Sequence, residues 1–301
     1  MTMKNRKIRI LCAALAMLLG LAVLAGCSEQ KKDTFVILEA PEGADASEYN
    51  YGDEEYAIAF RKGEIALVNR VQEVLNGLYE DGTAAEISKK WFGEDAILRD
   101  NEFPSDMTAP ADDNSLQTIL DKGTLVMGFD NEYPPMGFID EDTNETVGFD
   151  IDLAKAVAEK LGVELVLQPI SWGAKEMELS SGKIDCIWSG LSVDEERAEA
   201  FTLSKPYLPN AQIILTKEGS GIEKKADLAG KKVGTQEGSA GVKAIDKEED
   251  LKNSFAELTE YPDYYSAYLD LKAGRIDALV GDKTFIEYIL ANKADEAETT
   301  K

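Results

Sequence analysis

Three places in this chain carry residues able to grip a charged molecule. Arg197 offers a planar, two-pronged donor that matches a carboxylate. Inside the run Asp194-Glu195-Glu196-Arg197-Ala198-Glu199 it also reads as a solvated helix charge. Gly238-Ser239-Ala240 opens a helix at Val242. A helix start presents free N–H groups and a dipole favourable to an anion, and Ser239 is equally suited to capping it. Asp282 follows the apolar run Ile276 to Val280 and precedes a helix at Phe285, where aspartate is a common N-cap. All three lie at or after the carboxyl ends of strands, where α/β sheets place ligands. The absences are equally informative. With no histidine among 301 residues, a Ser-His-Asp triad, a His-liganded zinc and a histidine pH switch are excluded. Cys186 stands in the apolar run Ile184 to Trp188 with no basic cluster beside it, and reads as a small hydrophobe. No cofactor and no metal is expected.

Acids outnumber bases 57 to 32, for a formal charge of −25. This argues against nucleic acid and anionic membrane surfaces, both of which select a basic footprint. A hydrophobic content of 44% with 30% charged residues fits a folded globular chain. The first residues read as an address. Lys4, Arg6, Lys7 and Arg9 precede an apolar run from Ile10 to Gly26, closed by Leu24-Ala25-Gly26-Cys27 and then by polar residues. That is the layout of a signal peptide, and the run is at the short limit for a bilayer span of about 20 residues.

The elements that must position these groups follow from periodicity. Phe35 to Leu38 and Tyr56 to Phe60 read as short strands on either side of a loop at 40–54. From Glu64, the spacing of Ile65, Val68, Val71, Leu75 and Leu78 predicts a helix, and Asp81-Gly82 breaks it before a second helix over Thr83 to Phe92. Residues 99–114, with Pro104, Pro110 and little apolar content, read as a linker. Beyond it, strands and helices alternate: strands at Leu125 to Phe129, Val163 to Leu167, Ile184 to Trp188, Ile213 to Thr216, Lys232 to Gly234 and Ile276 to Val280, and helices at Ile151 to Leu161, from Val242, at Ala267 to Lys272 and at Phe285 to Asn292. This alternation predicts mostly parallel sheet covered by helices. There is also an internal echo. Ser181-Gly182-Lys183-Ile184-Asp185-Cys186-Ile187 matches Ala273-Gly274-Arg275-Ile276-Asp277-Ala278-Leu279, and Lys122-Gly123-Thr124-Leu125-Val126 matches Gly230-Lys231-Lys232-Val233-Gly234. Two echoes in the same order predict two pseudo-equivalent α/β lobes.

Four segments resemble bacterial extracellular solute-binding proteins of family 3, the amino-acid receptors of ABC importers. They are Gly128-Phe129-Asp130-Asn131-Glu132-Tyr133-Pro134-Pro135, then Gly148-Phe149-Asp150-Ile151-Asp152-Leu153, then Gly182-Lys183-Ile184-Asp185 through Ser189-Gly190-Leu191-Ser192 to Glu196-Arg197, and finally Gly274-Arg275-Ile276-Asp277-Ala278-Leu279-Val280-Gly281-Asp282. The resemblance implies an α/β, periplasmic-binding-protein-like fold of type II, with two lobes joined by a two-stranded hinge. Leu24-Ala25-Gly26-Cys27 likewise resembles a bacterial lipobox, which implies cleavage before Cys27 and a lipid on its thiol. Residues 54–93, with Glu54-Glu55-Tyr56, Asp81-Gly82-Thr83 and Lys90-Trp91-Phe92-Gly93, look like the family's C-terminal end but precede its beginning, so the chain looks circularly permuted. Ends at the surface of a compact fold make such a rearrangement cheap. The implied organisation is a signal peptide at 1–26 and a tether at 27–33. Residues 34–54 begin lobe 2 and 55–98 supply the family's C-terminal part of lobe 1. A linker at 99–114 joins the family's ends, 115–209 complete lobe 1, 210–294 complete lobe 2, and 295–301 form a polar tail.

A receptor of this kind must pair both charges of a buried amino-acid zwitterion. By resemblance, Arg197 takes the carboxylate, aided by Ser189, Gly190, Ser192 and the helix opening Gly238-Ser239-Ala240. Asp282 takes the ammonium, and Tyr133 and Trp172 sandwich the side chain. Asp130, Glu132 and Gln236 are candidate discriminators of that side chain. If Asp130 faces the cleft a basic amino acid is favoured, and if it faces solvent or a hydroxyl, a neutral polar one. The expected protein is a monomeric, lipid-anchored, extracytoplasmic receptor that hands a polar or basic amino acid to an ABC permease. It is expected not to be an enzyme and to bind no nucleic acid. Two alternatives stand beside this. One is a dehydratase of the cyclohexadienyl type on the same fold, which needs a cleft carboxylic acid of raised pKa. The other is a sensory ligand-binding module serving a separate signalling partner.

Overall fold

A computed structural model describes residues 34–99 and 107–293. The expected signal peptide, Cys27, the tether, the middle of the linker and the polar tail lie outside the described residues.

The strands are β1 (Phe35–Ile37), β2 (Gly52–Arg61), β3 (Thr124–Phe129), β4 (Glu132–Tyr133), β5 (Gly137–Ile139), β6 (Thr146–Val147), β7 (Glu164–Pro169), β8 (Cys186–Ser192), β9 (Phe201–Leu203), β10 (Leu208–Lys217), β11 (Lys232–Gln236), β12 (Glu257–Tyr261) and β13 (Ala278–Asp282). The main sheet runs β12-β11-β13-β10-β2-β8-β3-β7, with β1 alongside β10 and β9 alongside β2. Its two ends are parallel: β12, β11 and β13 at one, β8, β3 and β7 at the other. The middle is antiparallel. Leu208 to Gln212 of β10 pair with Tyr56 to Gly52 of β2, after which β10 continues along β13 and β2 along β8 and β9. Two parallel halves are thus joined by one long antiparallel pair, the two-stranded connection expected of the fold. The strands β4, β5 and β6 form a small separate sheet.

The sequence echo is a structural one. Asp185 accepts the N–H of Val126 at 2.7 Å in one half, and Asp277 accepts the N–H of Lys232 at 2.8 Å in the other. Above each aspartate an isoleucine packs onto a strand glycine. A Cβ on Gly128 would overlap Ile184 Cδ1, and one on Gly234 would overlap Ile276 Cδ1. The repeated Gly-Lys/Arg-Ile-Asp therefore does one job twice: the aspartate ties the turn to the first strand of its half, and the isoleucine seals the strand above it.

The helix Ile65–Glu80 buries the predicted stripe of Val68, Val71, Leu75 and Leu78, together with Leu67 and Val74. It packs against the helices Thr83–Phe92, Ser115–Lys122 and Phe149–Leu161. The described end of the expected linker is pinned to it. Asp113 accepts the N–H of Ala66 at 2.7 Å and that of Ser115 at 2.9 Å, so one carboxylate serves two helix starts.

Three expectations need correction. The loop at 40–54 ends early, because Gly52 to Glu55 are already strand, held by backbone pairing with β10. The strand at Ile213 to Thr216 starts at Leu208, since Asn210 and Gln212 interrupt its apolar pattern without interrupting its ladder. The strand at Ile184 to Trp188 starts at Cys186 and runs on to Ser192, and the ladder with β2 shifts register between Ala57 and Ala59 to admit Gly190 at φ +57°.

Candidate functional site

Of the sequence-expected ligand positions, all but Gly238 and Glu132 line one cavity: Asp130, Tyr133, Trp172, Ser189, Gly190, Ser192, Arg197, Gln236, Ser239, Ala240 and Asp282. It lies where the carboxyl ends of the two parallel groups of strands face each other across the β2–β10 connection.

At one end is Arg197, 2% exposed. Asp194 caps its helix, Glu195–Ala200, by accepting the Arg197 N–H at 2.8 Å. The guanidinium donates from Nη1 to the Ser192 carbonyl at 2.7 Å and from Nη2 to the Gly238 carbonyl at 3.3 Å. Its Nε is buried without a hydrogen-bond partner, 3.6 Å from Asp194 Oδ2. Gly238 does not line the cavity, but its carbonyl, reached by Arg197 from the opposite wall, seals the edge. Ser239 accepts the Val242 N–H at 3.3 Å and caps the helix Ala240–Asp246 while its side of the turn faces the cavity, so both of its expected roles are compatible.

At the other end is Asp282, the last residue of β13. Tyr133 Oη donates to its Oδ2 at 2.7 Å, Asn210 Nδ2 donates to its Oδ1 at 2.8 Å, and Gln212 Nε2 also donates to Oδ1. Burial first, and the nearby Glu54 carboxylate second, raise its pKa to about 8. Asp130 is buried and lines the cavity. Its Oδ1 accepts the Glu132 N–H at 2.9 Å, and its Oδ2 accepts Gln236 Nε2 across the cleft at 2.6 Å. Burial, partly offset by these donors, brings it to about 6. Glu132 itself is exposed and is not part of the lining.

The walls are aromatic. Trp172, in a short 3-10 turn, belongs to the apolar cluster of Leu179, Ile187 and Leu191 and also faces the cavity. The Tyr133 ring stacks on Phe285 with centroids 6.2 Å apart, and its hydroxyl lies 2.7 Å from that of Tyr56. Ser189 Oγ accepts the Asp130 N–H at 3.1 Å, and Ser192 Oγ donates to Glu54 Oε1 at 2.6 Å. Among the described residues, no cluster of histidine, cysteine and carboxylate side chains is arranged to hold a metal ion.

Comparison with known proteins bears directly on this arrangement. Residues 125–260 match the family model of bacterial extracellular solute-binding proteins, family 3. A solved ABC uptake transporter substrate-binding protein from Streptococcus pneumoniae, with bound histidine, is 39% identical with a TM-score of 0.58, and the match covers 62% of this chain and 76% of that one. This chain belongs to the family. The L-cystine-binding protein of Escherichia coli K12 is 34% identical over 177 residues, 58% of this chain and 64% of that protein, so the match spans just under two thirds of that relative. An ancestral amino-acid-binding protein, described as a precursor of cyclohexadienyl dehydratase, is 32% identical with a TM-score of 0.55, covering 60% of this chain and 78% of that one. The family is extracellular or periplasmic, and among the described residues no helix is long and apolar enough to cross a membrane.

Sequence reasoning missed several members of the site. Glu54 Oε1 accepts Asn210 Nδ2 at 2.6 Å and Gln212 Nε2 at 2.8 Å, so the two amides of β10 are shared between Glu54 and Asp282. Their signal was a period-2 polar pair inside an apolar strand, the pattern of one strand face turned to a polar site. Asp150 is fully buried in the helix Phe149–Leu161. It accepts the Gly190 N–H at 2.8 Å and the Tyr207 hydroxyl at 3.0 Å, and burial raises its pKa to about 7. Lys175, 3% exposed, is masked in the sequence by its acidic helix neighbours.

Proposed function

We propose that this chain is an extracytoplasmic receptor that captures one free amino acid between its two halves and delivers it to the permease of an ABC importer. The observation that carries this reading is one cavity with a buried cation, Arg197, at one end and a buried carboxyl group, Asp282, at the other. An α-carboxylate would pair with the first, and an α-ammonium would draw the proton from the second and pair with it. Asp130 lines the same cavity, which favours a ligand with a basic side chain, with Tyr133 and Trp172 gripping its stem. Arg197, Ser189, Gly190, Ser192, Gly238, Ser239 and Ala240 serve the carboxylate end. The amino acids named for the relatives, cystine and histidine, are consistent with such a site. In this reading the protein is a monomer held at the outer face of the cell membrane by lipid on Cys27.

The same proposal includes circular permutation of the family fold. The family model begins at residue 125, yet β2, well upstream of it, supplies the sheet position between β10 and β8. The helices Ile65–Glu80 and Thr83–Phe92 pack on a helix from the matched region, Phe149–Leu161. Lobe 1 then comprises 55–98 and 115–209, and lobe 2 comprises 34–54 and 210–294.

The test is a thermal-shift screen of residues 28–301, refolded to strip carried ligand, against the twenty amino acids and L-cystine. A ligand at a thousand times its Kd adds about 4 kcal/mol, a shift of several degrees. The Arg197→Ala variant should lose that shift. A flat wild-type panel, or full affinity in the variant, would refute the reading. One observation keeps the dehydratase in view: Asp130 has the raised pKa a cleft acid needs, and one structural relative is named as a precursor of such an enzyme. Formation of product from arogenate or prephenate would favour it. Against it, both Asp130 oxygens already accept N–H groups, an arrangement for holding charge more than for giving up a proton.

A further inference from the structure

Lys175 is the least expected charge in the molecule. It begins the helix Lys175–Ser180, directly after the Trp172 turn, yet it is 3% exposed. Its ammonium donates to the Trp172 carbonyl at 3.2 Å and, across the cleft, to the Gly238 carbonyl at 2.9 Å. It also lies 4.8 Å from the centroid of the Trp172 ring. Gly238 O is the oxygen that Arg197 Nη2 reaches at 3.3 Å. Two buried cations therefore share one neutral acceptor.

Little nearby neutralises them. Among the described residues, the carboxylate within ion-pair distance of Lys175 is Glu176, at 4.0 Å and with its side chain largely in solvent. Arg197 has Asp194 at 3.6 Å, but Lys243 also claims Asp194, at 3.0 Å. Arg197 Nε has no hydrogen-bond partner at all. Burial, and Arg197 after it, push the Lys175 ammonium down to about 8, as expected for a cation with no anion beside it. A pair of desolvated like charges is costly, and a carboxylate placed between them would relieve both.

We propose that Lys175 is a binding residue of the cleft, which together with Arg197 holds the carboxylate of the bound amino acid. The inference rests on the amino-acid reading above. It accounts for a buried lysine on the Trp172 turn: the turn brings one aromatic wall and one cation to the cleft together, and the cation reaches across to the Gly238 loop. Lys175 lies just outside the present lining because its ammonium is drawn to Gly238 O. A carboxylate held by Arg197 would compete with Gly238 O for that ammonium.

The alternative is that Lys175 only latches the two walls through Gly238, and two variants separate the roles. Lys175→Gln keeps an N–H donor for Gly238 and removes the charge, whereas Lys175→Met removes both. Calorimetry is run with the tightest-binding L-amino acid of the panel and with its carboxamide, which keeps the ammonium and side chain but has no carboxylate. Loss of a charge-assisted hydrogen bond predicts that both variants weaken binding of the acid by roughly ten- to a hundredfold, with much less effect on the carboxamide. Ligand-free melting, followed in parallel, reports whether each variant folds. If acid and carboxamide weaken by the same factor, or if Lys175→Gln binds the acid like wild type, the inference is wrong and the receptor reading stands. If wild type binds no amino acid, the receptor reading fails and the inference with it.

Discussion

Replacing Asp282 by asparagine should make the ligand-free protein more stable while destroying its binding. Asp282 is buried, and its pKa of about 8 lies far above the ordinary aspartate value near 3.9. The folded protein therefore keeps this proton over a range of pH in which the unfolded chain has released it. Where the native state binds the extra proton, stability falls as pH rises. The loss begins near pH 4, continues to about pH 8 and is then complete. At pH 7 the gap from the unfolded pKa is about three units at 1.36 kcal/mol each, which sets a ceiling of about 4 kcal/mol. Part of that belongs to Glu54, which shares the donors Asn210 and Gln212 with Asp282.

Asparagine removes the penalty without emptying the site. Its carbonyl can accept from Asn210 and Gln212, and its amide can donate to Tyr133 Oη, whose own proton then turns to Tyr56, 2.7 Å away. The assay is urea unfolding of ligand-stripped wild type and Asp282→Asn at pH 5 and pH 8. The variant should gain on wild type by about 2–4 kcal/mol between the two pH values, and its thermal shift with every amino acid should vanish. Asp130 and Asp150, also buried, add their own pH dependence to both proteins, so the difference between the proteins isolates Asp282. A variant that trails wild type by the same margin at both pH values would refute the argument, because the carboxylate would then contribute its hydrogen bonds and no charge penalty.

Gly190→Ala should destabilise the fold and the site together. A Cβ there would stand 2.7 Å from the Tyr133 ring, on a backbone at φ +57°. The left-handed conformation costs about 1–2 kcal/mol and the overlap about 1–3 more, readable as a fall in the urea midpoint. Asp130→Asn should cost a basic amino acid at least about tenfold in affinity by calorimetry and leave neutral ones nearly unchanged. In wild type the preference for basic ligands should fade below pH 6, as Asp130 gains its proton, and an equal loss for both ligand types would speak against a side-chain role. Cutting the chain at Pro104 should leave a single cooperative melt, since in a permuted fold that join is dispensable. A melt that splits or loses cooperativity after the cut would count against permutation.

The parts of this protein legible in its sequence are those whose meaning is local. Ile65 to Leu78 announce a helix because their spacing alone decides which face is buried. Gly-Lys-Ile-Asp and Gly-Arg-Ile-Asp announce equivalent turns because each packs against its own half, with Asp185 on Val126 and Asp277 on Lys232. The expected ligand positions could be named together because a resemblance fixed their order, and the fold brings segments from residue 130 to residue 282 around one cavity. What could not be read is whatever takes its meaning from a distant partner. Lys175 sits beside Glu176 and Glu178 and looks like any solvated helix charge until the Gly238 loop, brought in by β11, covers it. Glu54 looks like part of an acidic loop until β10 lies beside it and Asn210 and Gln212 reach across.

These hidden residues are related. Asn210, Gln212 and Glu54 lie on the long antiparallel pair that joins the halves, and they are the groups that hold Asp282 and set its charge. Gly238 and Lys175 close the opposite edge and set the electrostatics of Arg197. Each end of the zwitterion would thus be tuned by residues that also connect the two halves, the ammonium end by the strand pair and the carboxylate end by the closing loop. Ligand charge and closure are then linked through the same side chains. A ligand lacking its carboxylate would leave the buried Arg197 uncompensated in the closed form, and one lacking its ammonium would forgo the ion pair with Asp282, so the closed form would lose population in either case. On this argument, selection for amino acids over simple amines or simple acids lies in the cost of closing on the wrong one.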